Sequence, residues 1–163
     1  ATRNQSAPME TIVTQHGRFY AHYTKKGLVR LVFPGRPTKE IPDVIKPSCG
    51  WHLRACASTN AILQGKEPGE LPPLDLSAGT YFQQQLWRML LRIPVGEWRS
   101  YGELASKLNR PKAARAIGQA CGSNPIPVII PCHRVLFSGG GIGGFSGGLG
   151  WKRKLLRLEG HDF

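Results

Sequence analysis

A segment rich in proline and glycine, residues 65–73, separates two parts of the sequence that differ in hydrophobic pattern. Before it, residues 11–35 hold apolar and β-branched residues between turn signals, which predicts two or three strands, and residues 48–63 predict a helix. After it, apolar residues recur at helical spacing. We therefore expect an α/β (α+β) chain, with a small N-terminal sheet-and-helix domain plus linker (1–73) and a mostly helical domain (74–163).

Helix-start signals mark the second part of the chain. Thr80 and Ser100 each stand three residues before a Gln or a Glu, the pattern of a capping box. They predict one helix that is closed by Pro94 and a second, shorter helix, and a third helix is predicted over 113–121. The last two helices and their tight turn resemble a helix-turn-helix, although helical hairpins in protein cores show the same pattern.

The charge balance indicates a polyanionic partner. The chain of 163 residues has 22 Lys or Arg against 10 Asp or Glu, a net charge of +12, and residues 80–163 alone carry +8. DNA, RNA and an anionic lipid surface all fit this charge. A hydrophobic content of 40% excludes a disordered chain, and no apolar run approaches the about 18 residues of a membrane span.

Two features bear on the cellular compartment. Residues 1–8 lack the apolar segment of a secretory signal, so we expect a cytoplasmic protein, or a nuclear one in a eukaryote. Four cysteines are too few for a disulfide scaffold, and a reducing compartment would keep them as thiols.

Cys132 is the candidate nucleophile. It follows an apolar run and Pro131, at the predicted end of a buried strand, and precedes His133 and Arg134. Neighbouring positive charge lowers a thiol pKa, although a buried structural cysteine is the alternative interpretation. Adjacent side chains of an extended backbone point to opposite faces, so His133 could serve Cys132 only through a bent backbone or a bridging water.

Several short motifs occur in a fixed order. They are RAIG at 115–118, NP at 124–125, PCHRV at 131–135, GGFSGG at 143–148 and LEG at 158–160. Together they closely resemble the O6-alkylguanine-DNA alkyltransferases. The resemblance is strong after the linker, whereas the N-terminal part matches only in type, as a small α/β domain.

The resemblance implies a reaction and its residues. Cys132 would accept an alkyl group from O6 of guanine in duplex DNA, irreversibly and once per protein molecule; whether O4 of thymine also reacts is left open. His133 would take the thiol proton through a water, Glu159 would orient the imidazole, and Asn124 would organise this network. Tyr101 would donate a proton to the departing base. No cofactor and no metal are implied.

The resemblance also implies how DNA is bound. Arg115 would fill the space that a flipped nucleotide leaves, with Ala114, Gly118 and Ser100 as further DNA-contacting residues. The partner would be double-stranded DNA. A monomeric protein would bind its minor groove without reading the sequence, and no membrane partner is implied.

The remaining implied residues surround the flipped guanine. They are Cys121, Val135, Phe145, Ser146, Gly147 and Lys152. Ser146 would contact O6, and the carbonyls of Cys132 and Val135 would accept from the exocyclic amine. Phe145 departs from the Tyr of many family members, and the loss of that hydroxyl leaves the role of Lys152 open.

Two other functions and a metal site compete with this interpretation. A non-catalytic alkyl-damage sensor of the same fold would lack the acceptor cysteine, and a helix-turn-helix regulator would make Cys132 incidental. Cys49, His52 and Cys56 share a predicted helix face, but no fourth ligand is evident and the spacing differs from that of zinc-bearing relatives. We therefore expect no metal site.

Overall fold

The N-terminal half contains a small antiparallel sheet. The computed structural model describes residues 8–145 and 147–162. Three strands in the order β1-β2-β3 form the sheet: β1 (Glu10–Thr14), β2 (Gly17–Thr24) and β3 (Gly27–Val32). Both hairpins turn at the polar residues between the strands, as the sequence predicts.

Helix α1 (Cys49–Leu63) packs beside this sheet. Ser48 caps the helix by accepting a hydrogen bond from the Trp51 backbone N–H at 3.3 Å, so the prediction of a helix over 48–63 is confirmed. Phe19 and Tyr23 occupy alternate positions of β2 and are fully buried. Tyr23 packs against Trp51 of α1, whereas Phe19 packs against Phe33 and Trp151 elsewhere in the core.

The predicted linker is bonded to the sheet along part of its length. Leu28 donates its N–H to the carbonyl of Pro73 at 2.8 Å and accepts from the N–H of Asp75 at 2.8 Å. Gly27 has a φ of +142°, and a Cβ there would collide with the Pro73 carbonyl. The domain division at residue 73 remains a prediction, and buried apolar residues from both sides of it form one continuous core cluster.

The second half is mostly helical. It contains α2 (Tyr81–Leu90), α3 (Tyr101–Lys107), α4 (Ala114–Gly122) and α5 (Leu149–Leu158), and a short parallel pair of strands. Trp87 of α2 donates its indole N–H to the Ala120 carbonyl of α4 at 2.9 Å. No helix within 8–145 and 147–162 is long and apolar enough to cross a membrane.

The helix boundaries test the two capping signals. Thr80 and Gln83 form a complete capping box, but α2 ends at Leu90, so closure at Pro94 is wrong by one turn. At Ser100 only half of the box forms: the Ser100 hydroxyl accepts from the Glu103 N–H at 3.0 Å. Ser100 is also the last residue of strand β4 (Arg99–Ser100).

Strand β4 pairs in parallel with β5 (Val135–Leu136). This pairing joins the start of α3 to the segment that carries Cys132. The turn between α3 and α4 contains Asn109 in the left-handed region, with a φ of +57°. The hairpin of α3 and α4 therefore has the predicted turn and is anchored beside β5.

The prediction of a buried strand before Cys132 is wrong. Residues 127–129 form a turn, and Cys132–Arg134 form a single 3₁₀ turn. Prolines at 125, 127 and 131 remove three backbone donors from this stretch, so it cannot make a regular strand ladder. Val128 has a φ of +73°, which is costly for a β-branched residue.

Candidate active site

Cys132 lies in the interior of the protein. It is 1% exposed and begins the 3₁₀ turn after Pro131. Its backbone N–H bonds to the Ile130 carbonyl at 2.8 Å. Its sulfur accepts a hydrogen bond from Nδ2 of Asn124 at 3.1 Å. The thiol is therefore held in one place before any substrate arrives.

Asn124 connects the thiol to the loop around it. Besides Cys132, its Nδ2 donates to the Ile130 carbonyl at 2.8 Å, and its Oδ1 accepts from the Ile126 N–H at 2.9 Å. Its own backbone N–H bonds to the carbonyl of Cys121 at 3.2 Å. One buried side chain thus replaces the ladder bonds that the proline-rich segment cannot make.

Burial dominates the electrostatics of the thiol. Desolvation raises the pKa of Cys132 to about 11, and the hydrogen bond from Asn124 and the charge of Lys152 act in the opposite direction. The expectation that Arg134 lowers this pKa is wrong, because the guanidinium is directed at Glu159. Ionisation of Cys132 therefore requires a base.

His133 and Glu159 form a buried pair beside Cys132. Nε2 of His133 lies 3.1 Å from Oε1 of Glu159, and both side chains are fully buried. Burial by itself would raise the pKa of Glu159, but the hydrogen bonds and charges of His133 and Arg134 hold that pKa below its ordinary value. Because an ionised carboxylate only accepts, the proton of His133 is on Nε2.

This tautomer leaves Nδ1 of His133 as the basic nitrogen. Nδ1 is buried and has no hydrogen-bond partner among the described residues. Burial is the largest cause that lowers the pKa of His133, so the imidazole is neutral near pH 7. A neutral ring with an unoccupied lone pair has the properties of a general base.

Arg134 is a member of this network that the sequence reasoning did not assign. Its Nε donates to the two oxygens of Glu159 at 2.9 and 3.0 Å, its Nη2 donates to Oε1, and its Nη1 donates to the Ile93 carbonyl at 2.6 Å. A signal was present in the sequence. After Glu103 the only acidic residues are Glu159 and Asp162, so a buried Arg134 had few possible partners.

A pocket of about 660 Å³ opens beside Tyr101. Its lining comes from the start of α3, from α4 and from the loop after β5: Tyr101, Gly102, Ala114, Arg115, Gly118, Gln119, Phe137, Ser138 and Gly144. Five of these residues were not predicted as site residues: Gly102, Gln119, Phe137, Ser138 and Gly144. The pocket joins the helix-turn-helix to the glycine-rich loop, so a bound group would touch both.

Tyr101 is the largest buried side chain of this pocket. Burial raises its pKa to about 12, so the phenol stays protonated and remains a donor at neutral pH. Gly143 has a φ of +68°, and a Cβ there would lie 2.5 Å from the Tyr101 hydroxyl oxygen. The glycine-rich loop therefore approaches the hydroxyl closely because it has no side chain at this point.

Lys152 is buried on the same face of α5 as Leu155 and Leu156. Its Nζ donates to the carbonyls of Val135 and Gly144 at 2.8 and 3.1 Å and lies 5.8 Å from the centre of the Tyr101 ring. Burial lowers its pKa to about 8. Two backbone carbonyls thus hold the ammonium group of Lys152 in place.

Arg115 lies in the first turn of α4 and is exposed. Among the residues that the structure describes, none forms an ion pair with it. Ala114 is exposed and Gly118 half-buried on the same pocket wall. Ser100 differs from these three, because it is buried and its hydroxyl caps α3.

Of the remaining predicted pocket residues, Phe145 and Gly147 lie in the loop before α5, and Cys121 lies in α4. Phe145 packs edge-on against Phe33 at 5.8 Å, and a Cβ on Gly147 would collide with the same Phe33 ring. Cys121 is buried near the thiol, and burial raises its pKa. Ser146 lies outside the described residues.

Cys49, His52 and Cys56, the three residues considered for a metal site, lie on α1. Nε2 of His52 lies 3.5 Å from the sulfur of Cys56, and its Nδ1 bonds to the Tyr23 hydroxyl at 2.9 Å, while Cys49 is exposed. Within the described parts of the chain, no three metal-ligating side chains are grouped to hold an ion.

Known proteins are similar to this chain in sequence. The sequence-family model of the 6-O-methylguanine DNA methyltransferase DNA-binding domain matches residues 81–161 of this chain. A methylated-DNA–protein-cysteine methyltransferase of Mycobacterium tuberculosis is 52% identical over 94 residues, which cover 56% of this chain and 57% of that protein. One of Methanosarcina acetivorans is 47% identical over 129 residues, 77% of this chain and 80% of that protein.

Solved structures agree with the sequence matches. The crystal structure of Mycobacterium tuberculosis OGT in complex with DNA is 39% identical, with a TM-score of 0.78 over 93% of this chain and 92% of that one. The alignment with the Mycobacterium tuberculosis sequence spans little more than half of that relative, whereas the structural match spans nearly all of both chains. The chain belongs to the methylated-DNA–protein-cysteine methyltransferase family.

Proposed function

We propose that this chain repairs DNA by moving a methyl or larger alkyl group from O6 of guanine in duplex DNA onto Cys132. The observation that carries the proposal is the buried sulfur of Cys132, hydrogen-bonded to Asn124 at 3.1 Å and adjacent in the chain to the His133–Glu159 pair. Family membership supports the same reaction, because the relatives' names state methyl transfer from DNA to a protein cysteine.

The reaction balances as a single displacement. The sulfur of Cys132 forms a bond to the alkyl carbon while the bond from that carbon to O6 breaks, and the electron pair of that bond leaves with guanine. The thiol proton passes to Nδ1 of His133, through a water, and the guanine takes up a proton. A thioether has no carbonyl that water can attack, so the protein is consumed in one turnover.

The site supplies both proton steps. Neutral His133 accepts the thiol proton, and Glu159 and Arg134 stabilise the imidazolium that forms. Protonated Tyr101 donates to the ring of the departing guanine, where negative charge develops. Because His133 must be neutral, we expect the transfer rate to fall only when the pH drops below the lowered pKa of this residue.

DNA is the proposed partner, bound as duplex in the minor groove by one protein molecule. A thiol that is 1% exposed cannot reach a stacked base, so the nucleotide must be flipped. Arg115, which is exposed beside the small residues Ala114 and Gly118, would enter the vacated stack. The net charge of +8 in residues 80–163 supports affinity that depends on salt and not on sequence.

The decisive measurement is the intact mass after incubation with a duplex that contains one O6-methylguanine. We expect a gain of one methyl group in place of one proton, and peptide mapping places it on Cys132. Cys132→Ala should bind the duplex and gain no mass, whereas Cys49→Ser, which changes an exposed thiol, should react like wild type. Tight binding without a mass change would favour a damage sensor or a helix-turn-helix regulator instead.

A further inference from the structure

Phe137 is an exposed aromatic residue at the mouth of the pocket. Phe137 lies directly after β5, is 58% exposed and lines the same pocket as Tyr101 and Arg115. Of the phenylalanines, tryptophans and tyrosines in the described ranges, Tyr81 is the other strongly exposed one, and it does not line this pocket. The position of Phe137 therefore calls for an explanation.

The ring of Phe137 is held in a defined orientation. Its backbone N–H bonds to the Gly141 carbonyl and its carbonyl accepts from the Gly140 N–H, both at 2.8 Å, which closes a tight turn. Its ring centre lies 5.1 Å from that of Tyr101, with the planes inclined by 51°. A Cβ on Gly141 would lie 3.2 Å from the ring. A ring supported in this way loses little freedom when a ligand packs on it.

Flipping of a nucleotide exposes base faces on which such a ring can stack. When one nucleotide leaves the stack, the bases on its two sides each lose a stacking partner. Arg115, from α4, and Phe137, from the turn after β5, line the pocket that would receive the flipped nucleotide. Aromatic rings stack on every nucleobase, because each base has a π-face, so this contact needs no sequence preference.

We propose that Phe137 stacks on the nucleobase adjacent to the flipped nucleotide in the same strand. The inference rests on the proposed function, because it requires a flipped nucleotide in the pocket. The contact would complement Arg115: the arginine enters the vacated space, and the aromatic ring covers a base face that flipping exposes. Phe137 is thus a determinant of reaction with DNA and not of the chemistry at Cys132.

The test compares two substrates. Rates of transfer are measured from an O6-methylguanine duplex and from free O6-benzylguanine, which needs no flipping. For Phe137→Ala we expect a loss of about fivefold to about a hundredfold on the duplex and a clearly smaller loss on the free base, which has no neighbouring nucleobase for the ring to stack on. Phe137→Trp should retain the duplex rate, and Phe137→Leu should lose it, because leucine has no π-face.

Controls separate this inference from folding and from the proposed function. Leu53→Ala removes a comparably exposed apolar side chain, 63% exposed on α1, and should leave both rates unchanged. Thermal unfolding of each variant should match wild type. Equal rates for Phe137→Ala and wild type on the duplex, equal losses on both substrates, or full activity of Phe137→Leu would each overturn stacking. A wild-type protein that transfers to neither substrate would instead refute the proposed function.

Discussion

Replacing Glu159 by glutamine keeps the shape of the side chain and removes its charge. Glu159 accepts from His133 Nε2 at 3.1 Å and from Nε of Arg134 at 2.9 and 3.0 Å, with all three side chains buried. In Glu159→Gln the guanidinium remains in the interior beside a neutral amide. The variant therefore isolates the energetic role of the carboxylate.

The expected loss of stability is large. Leaving one member of a buried ion pair without its partner costs about 3 to 5 kcal/mol. For a chain of this size each kcal/mol lowers Tm by about 2 to 4 °C, so scanning calorimetry at pH 7 should show a decrease of about 6 to about 20 °C. Glu97→Gln is the matched control. Glu97 pairs with Arg99 at 3.3 Å but is 52% exposed, so its loss should cost at most about 1 kcal/mol.

The pH dependence of this loss of stability is a second, independent test of the prediction. The pKa of Glu159 in the folded protein lies below its ordinary value of 4.5. Its contribution to the free energy of unfolding is therefore fully present above pH 4.5 and is lost as the pH falls through the folded pKa. The difference between wild type and Glu159→Gln should be constant near neutral pH and shrink well below pH 4.5.

Two results would refute this reasoning. A Tm of Glu159→Gln within about 2 °C of wild type at pH 7 would show that the carboxylate does not stabilise the buried Arg134. A difference that persists unchanged well below pH 4.5 would show that it does not arise from ionised Glu159. The transfer rate of the variant, measured below its Tm, should also be reduced, because an amide no longer selects the Nε2–H tautomer of His133.

Three further substitutions test α4, the pocket and the loop before α5. Arg115→Ala should slow transfer from duplex more than from free O6-benzylguanine, and equal losses would contradict a role in flipping. Tyr101→Phe should slow transfer by about a hundredfold or more while the Cys132 thiol still titrates, and a normal rate would remove the phenol from the reaction. Gly147→Ala should cost about 1 to 3 kcal/mol, since its Cβ would collide with Phe33. Gly150→Ala, whose Cβ would meet nothing within 4 Å, is the control, and equal unfolding free energies for both would show that the loop adjusts.

Features with a short-range cause were readable from the sequence. The three strands, α1 and the capping box at Thr80 depend on residues a few positions apart, and all of them form as predicted. The same local reasoning placed the end of α2 one turn too late. Spacing alone does not show that the chain leaves the helix after Leu90 to pack Ile93 against the core.

The segment around Cys132 shows where local patterns fail. An apolar run next to a cysteine is typical of a buried strand, but three prolines and the side chain of Asn124 make it a bonded turn. The pKa of the thiol was misjudged mainly because burial raises it, and burial is not visible in the neighbouring residues of the sequence. Arg134 is two residues away in the chain, but its charge is engaged by Glu159, which is 25 positions distant.

The motif residues identified the family and the candidate acceptor, because a reactive thiol, a base and an orienting carboxylate must be present whatever the fold. Their order along the chain contains no distances. Folding brings Asn124 to 3.1 Å from the sulfur of Cys132, directs Arg134 to Glu159 and leaves Phe137 exposed beside Arg115. Burial then sets the pKa values of Cys132, His133 and Lys152, because desolvation depends on what surrounds a group in three dimensions and not on its neighbours in the chain.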